Sequence, residues 1–102
     1  VSEFIKVAEL KEIPPGSTKH FEINGTELCV VNLSGTVYAI SDVCTHKYCR
    51  LSDGYIEGEN IICPCHLSVF SLKTGKVLEP PASVDLAVYK VRIEGNDIEV
   101  EM

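Results

Sequence analysis

At 102 residues the chain has room for one domain, which would bury roughly two-thirds of the surface its unfolded form exposes. Its 45% hydrophobic and 24% charged content exclude a disordered tail or a low-complexity segment. Fifteen acids against nine bases give a formal charge of −6, the wrong sign for gripping a phosphate backbone, so no nucleic-acid partner is expected and a basic protein partner is favoured.

Taken in chain order, residues 4–7, 19–23, 27–33 and 37–40 read as β-strands. Pro14-Pro15-Gly16 marks a loop after the first, because proline cannot sit inside a central strand. Asn24-Gly25 and Ser34-Gly35 read as hairpin turns, glycine supplying the positive φ such turns need. Residues 41–55 then form an irregular stretch rich in cysteine, histidine and short polar residues. A strand over 60–63, a second irregular stretch over 64–68 and a strand over 69–72 follow. After them come a Lys73-Thr74-Gly75 turn, a short run at 77–78, a Pro80-Pro81 loop, a strand over 86–93, a turn over 94–97 and a last strand over 98–100. No segment has helical periodicity, so the expected fold is all-β and antiparallel, a single domain over residues 1–102. The longest apolar runs, such as 28–33, fall far below the roughly twenty residues of a membrane span. The opening VSEFIKVAEL lacks the apolar core of a signal peptide. A cytoplasmic protein without a membrane anchor is expected.

Two motifs stand apart from the β pattern: Cys44-Thr45-His46 and, after sixteen intervening residues, Cys63-Pro64-Cys65-His66. Each offers one thiolate and one imidazole. Two such loops brought together can give one iron two cysteines and another iron two histidines. The same four donors suit a structural zinc ion, although zinc sites more often pair C-x-x-C with H-x-x-x-H. A cluster held by Cys44, Cys49, Cys63 and Cys65 is a third arrangement, and it leaves both histidines unexplained. Cys29, inside an apolar run, reads as a small buried hydrophobe, and His20 as a solvent-facing strand residue.

The spacing C-x-H, sixteen residues, C-x-x-H resembles that of the Rieske family, and the resemblance extends to Leu51-Ser52-Asp53-Gly54 and to Pro80-Pro81. It implies a Rieske fold of three stacked antiparallel sheets with a cluster-binding loop subdomain. It also implies one two-iron, two-sulfur (2Fe-2S) cluster of Rieske type, with Cys44, His46, Cys63 and His66 as metal and cofactor ligands. Replacing two thiolates by neutral imidazoles leaves the oxidised core about neutral, so an electron is added more easily than to a four-cysteine cluster. In the cytochrome bc branch of the family, loops like CTHKYC and CPCH carry a disulfide, here Cys49 to Cys65; the alternative is two thiols kept reduced by the cytosol. Resemblance to that branch also assigns Ser68 a tuning role, donating a hydrogen bond to cluster or ligand sulfur, while Phe70 has no hydroxyl to offer. Leu67 stands where a glycine usually follows the last histidine, which would make that side of the cluster more apolar and crowded.

Short, anchor-free chains with this Leu-Ser-Asp-Gly stretch resemble the ferredoxins that feed aromatic-ring dioxygenases and the small archaeal Rieske ferredoxins. That implies a soluble one-electron carrier between a reductase and an oxygenase or similar acceptor. A Rieske-like subunit fixed to a larger redox enzyme, such as a nitrite reductase, is the rival. The chain does not read as an enzyme. A catalytic non-haem iron needs two histidines and a carboxylate, and only His20 remains once His46 and His66 are used. No G-x-G-x-x-G turn is present for a dinucleotide, so the reductase must be another protein.

Overall fold

The computed structural model describes residues 3–45, 48–65 and 67–102. Among them, eleven strands form three antiparallel sheets. The middle sheet starts from two hairpins, β2 (Ser17–Ile23), β3 (Thr26–Leu33) and β4 (Thr36–Ser41). Ile23 pairs with Thr26 and Leu33 with Thr36, so each connection is a two-residue loop. Asn24 and Gly25 lie at φ 51° and 82°, Ser34 and Gly35 at 49° and 99°. Positive φ at both central residues is the geometry whose twist matches right-handed strands. A short strand, β9 (Val88–Tyr89), completes the order β2-β3-β4-β9.

The run 28–32 within β3 does not alternate because both of its faces are covered. Leu28 and Val30 point into one core with Ala39, Ile98 and Val100. Cys29 and Val31 point into another with Ile40, Leu51, Ile61, Phe70 and Leu72. The first core is closed by a three-stranded sheet of order β1-β11-β10, comprising β1 (Phe4–Glu9), β11 (Asp97–Glu101) and β10 (Val91–Glu94). The second is closed by β5 (Tyr55–Glu57), β6 (Asn60–Ile62), β7 (Val69–Ser71) and β8 (Val77–Glu79). In this last sheet Ile56, Ile61, Phe70 and Val77 face the core, as period two places them within β5, β6 and β7, and a register shift between Val69 and Phe70 breaks the alternation where β7 meets β8.

Most strand ends shift by one or two residues from the sequence reading, the strand β5 was not expected, and two segments differ more. The expected strand over 86–93 is divided at Lys90, with β9 in the middle sheet and β10 in the sheet of the terminal strands. One apolar run thus serves two layers, which periodicity along the run cannot reveal. The stretch 41–55 also contains a 3₁₀ turn at Leu51–Asp53 and ends at the first residue of β5. Among the described residues no helix is long and apolar enough to cross a membrane.

Candidate metal centre

The first motif lies on the connection leaving β4. Val43 bridges Arg50 in antiparallel fashion, and the Cys44 N–H donates to the Cys49 carbonyl at 3.0 Å, so the two arms of the loop stand side by side. The Leu51–Asp53 turn anchors its far end: Leu51 is fully buried and its N–H donates to the Asp42 carbonyl at 3.0 Å. Gly54 follows where a Cβ would collide with the Ile62 carbonyl oxygen and crowd the Pro64 ring. The Leu-Ser-Asp-Gly stretch is therefore a fastening, with leucine in the core and glycine permitting close approach to β6.

The second motif connects β6 to β7. The Cys63 N–H donates to the Ser68 carbonyl at 2.8 Å and the Leu67 N–H to the Cys63 carbonyl at 3.0 Å, closing a tight turn. Leu67 completes it at φ 61°. Its side chain is 61% exposed.

A disulfide joins the two loops, Cys49 to Cys65, with Cα atoms 6.5 Å apart. Cys44 and Cys63 carry thiols outside that bond. Both are buried in the core of the cluster-side sheet, beside Leu51, Phe70, Ala82 and Leu86. The Cys63 sulfur lies within 4.8 Å of both disulfide sulfurs. One thiol from each loop, shielded from water and set against a covalent tie, fits two cysteine ligands of an iron cluster. The intact disulfide rules out the four-cysteine arrangement, because Cys49 and Cys65 have no thiolate to give. His46 and His66, the expected imidazole ligands, lie outside the described residues.

A third loop joins both motifs. It carries the cis Pro80–Pro81 bond. The Thr45 hydroxyl donates to the Val84 carbonyl at 2.6 Å, and the Ala82 N–H donates to Ser68 Oγ at 3.0 Å. Ser68 is fully buried. With its oxygen accepting from Ala82, its hydroxyl proton is left to donate elsewhere.

Beneath the first loop sits a charge network that the sequence reading missed. Asp42 is fully buried. Its carboxylate accepts from the Ser52 N–H at 2.6 Å, from the Ser52 hydroxyl at 2.7 Å and from His20 Nδ1. Glu27 lies 3.9 Å from the other imidazole nitrogen and accepts from the Tyr48 hydroxyl at 2.8 Å. His20 is half-buried and hydrogen-bonded through Nδ1, a correction to the solvent-facing expectation. The signal in the sequence was slight: one acid closing the apolar run VYAIS. Cys29 was read correctly as a buried residue, and burial, with Asp42 nearby, pushes its thiol well above the usual range.

The chain belongs to the Rieske [2Fe-2S] domain family, which matches residues 3–90. Its cofactor is accordingly a two-iron, two-sulfur cluster of Rieske type, and its class is that of electron carriers, not catalysts. It is 37% identical, over 97% of its own length and 95% of the relative's, to the ferredoxin component of naphthalene 1,2-dioxygenase/salicylate 5-hydroxylase systems from a Ralstonia species. Among solved structures it resembles the ferredoxin of carbazole 1,9a-dioxygenase from Nocardioides aromaticivorans, with TM-score 0.90, 33% identity and 95% of each chain covered. It also matches a chain in the complex of reduced oxygenase and oxidized ferredoxin of carbazole 1,9a-dioxygenase, with TM-score 0.89, 31% identity, and 95% of this chain and 91% of that one covered.

Proposed function

We propose that this chain is the ferredoxin component of an oxygenase system: a single soluble domain over residues 1–102, in the cytoplasm, carrying one electron at a time from a separate reductase to an oxygenase. In this reading Cys44 and Cys63 hold one iron of the 2Fe-2S cluster and His46 and His66 the other. The observation that carries it is the pair of buried thiols on two loops locked together by Cys49–Cys65. The named relatives, all ferredoxins of dioxygenase systems, support the choice of acceptor.

When bound, such a cluster supplies a reversible one-electron couple whose potential depends on net charge, hydrogen bonds to sulfur and solvent exposure. The protein sets each of these. The core around Cys44 and Cys63 excludes water from the sulfurs, and the disulfide and the proline loop fix the distance between the two ligand loops. Ser68, whose oxygen accepts from the Ala82 N–H, keeps a hydroxyl proton that would donate to sulfur of the bound cluster or its ligands and stabilise added negative charge.

The test is a potentiometric titration of metal-loaded protein, read by the visible spectrum and the paramagnetism of the reduced state. A one-electron couple that is lost in Cys63→Ser supports the reading. Fully loaded protein with no one-electron signal overturns it. Ser68→Ala is expected to lower the midpoint potential, and an unchanged midpoint removes the serine from the site. Reduced protein that passes its electron to a dioxygenase oxygenase component supports the acceptor.

A further inference from the structure

Among the described residues, the outer face of the sheet β5-β6-β7-β8 opens onto a groove. Across it Tyr55 pairs with Ile62, Ile62 with Val69 and Val69 with Glu79, the register shifting between Val69 and Phe70 where β7 meets β8. Directly opposed residues share a face, and all four line that groove, its apolar places running from exposed Tyr55 through half-buried Ile62 to buried Val69. These four adjoin the second ligand loop, since Ile62 precedes Cys63 and Val69 follows Ser68. Leu67 leans over one end of the groove, which measures about 370 Å³ and also includes Glu57. Tyr55 and Leu67 are 59% and 61% exposed.

Leu67 is the informative residue. At φ 61° it occupies left-handed backbone that costs a residue with a Cβ but is open to glycine. Strain kept at one position together with an exposed apolar side chain points to a use for that side chain outside the folded monomer. Glycine would close the Cys63–Leu67 turn with less strain and would leave the groove without its end wall.

We propose that this groove is the docking site for the oxygenase: an apolar side chain of the oxygenase enters between Tyr55 and Leu67, and a Lys or Arg beside it pairs with Glu57 and Glu79. The proposal rests on the electron-carrier reading above. Charge complementarity selects the partner, because the described lining carries two carboxylates and no basic side chain, on a chain of net charge −6. Position selects the purpose, because the groove abuts the loop of Cys63 and brings a docked acceptor beside the ligand loops.

The probe is the oxygenase component of the Ralstonia naphthalene dioxygenase/salicylate 5-hydroxylase systems, titrated against the metal-loaded ferredoxin with affinity and electron-transfer rate both measured. Leu67→Gly is expected to weaken binding about tenfold, as loss of a leucine from an interface would, with the cluster spectrum unchanged and Tm equal or higher. Glu57→Gln with Glu79→Gln is expected to slow association several-fold and flatten its salt dependence. Wild-type affinity in Leu67→Gly overturns the groove while leaving the carrier reading intact. A clear drop in Tm also overturns it, by showing that Leu67 serves the fold. Wild-type protein with a working one-electron couple that fails to bind this oxygenase overturns both the acceptor and the groove's occupant.

Discussion

At Asp42 a carboxylate lies wholly out of water, a placement that becomes tolerable only when every oxygen is hydrogen-bonded. Its partners come from β2, through His20, and from the turn after the first ligand loop, through Ser52. The sequence did not disclose this, because residues 20, 42 and 52 share neither a motif nor a period. Asp42→Ala leaves Ser52 and His20 without their acceptor and should cost about 3 kcal/mol, read as a lowered chemical-denaturation midpoint; Asp42→Asn, which can still accept from Ser52, should cost less. Cys29 gives a pH prediction. Its thiol keeps its proton in the folded chain where the unfolded chain, near the ordinary value of about 8.5, would lose it. With the folded pKa raised, this group's contribution is full below about 8.5 and falls as pH rises from there toward the folded value, by up to about 1.4 kcal/mol per pH unit. Cys29→Ala should flatten the decline in a pH series of denaturation curves, and an identical slope in the variant would show that the decline arises elsewhere.

At the scale of elements, the two cysteine-histidine motifs stand out by spacing, while their ligand roles come from the resemblance. What holds the loops is less legible. The Leu51-Ser52-Asp53-Gly54 stretch can be noticed as a pattern, but the reason for its glycine, contact with β6 at Ile62, appears only once the sheet exists. Gly54→Ala should therefore force β6 and the first loop apart and release the cluster, seen as loss of visible absorbance on mild heating. The disulfide was inferred from family resemblance and is present. It closes a loop with a sequence separation of 16, worth about 3 kcal/mol in the chain-entropy account. Cys49→Ser with Cys65→Ser should lower stability by that order, and a variant as stable as wild type would show that the proline loop alone suffices. The run 86–93 was mis-segmented for the opposite reason: its composition is uniformly strand-like, and only the layers on either side decide that Lys90 interrupts it.

Across the whole molecule, the charge of −6 acts beyond any single contact. Opposite charges on an acceptor attract it over about one Debye length, roughly 8 Å at physiological ionic strength. The bimolecular rate of electron transfer to a basic acceptor should therefore fall as salt is raised from 20 to 500 mM, an order-of-magnitude range chosen to span that screening. A flat series would remove long-range steering. The antiparallel β architecture was legible at this scale because Asn24-Gly25 and Ser34-Gly35 punctuate β-rich runs. The stacking of three sheets came from the resemblance, since no periodicity in one strand reports which layer covers it.

The middle sheet separates two interiors, and the one enclosed with β1, β10 and β11 contains, among the described residues, no side chain of the ligand loops. That half of the architecture should therefore persist when iron and sulfide are removed, with amide exchange in β1, β10 and β11 as slow in the metal-free protein as in the loaded one.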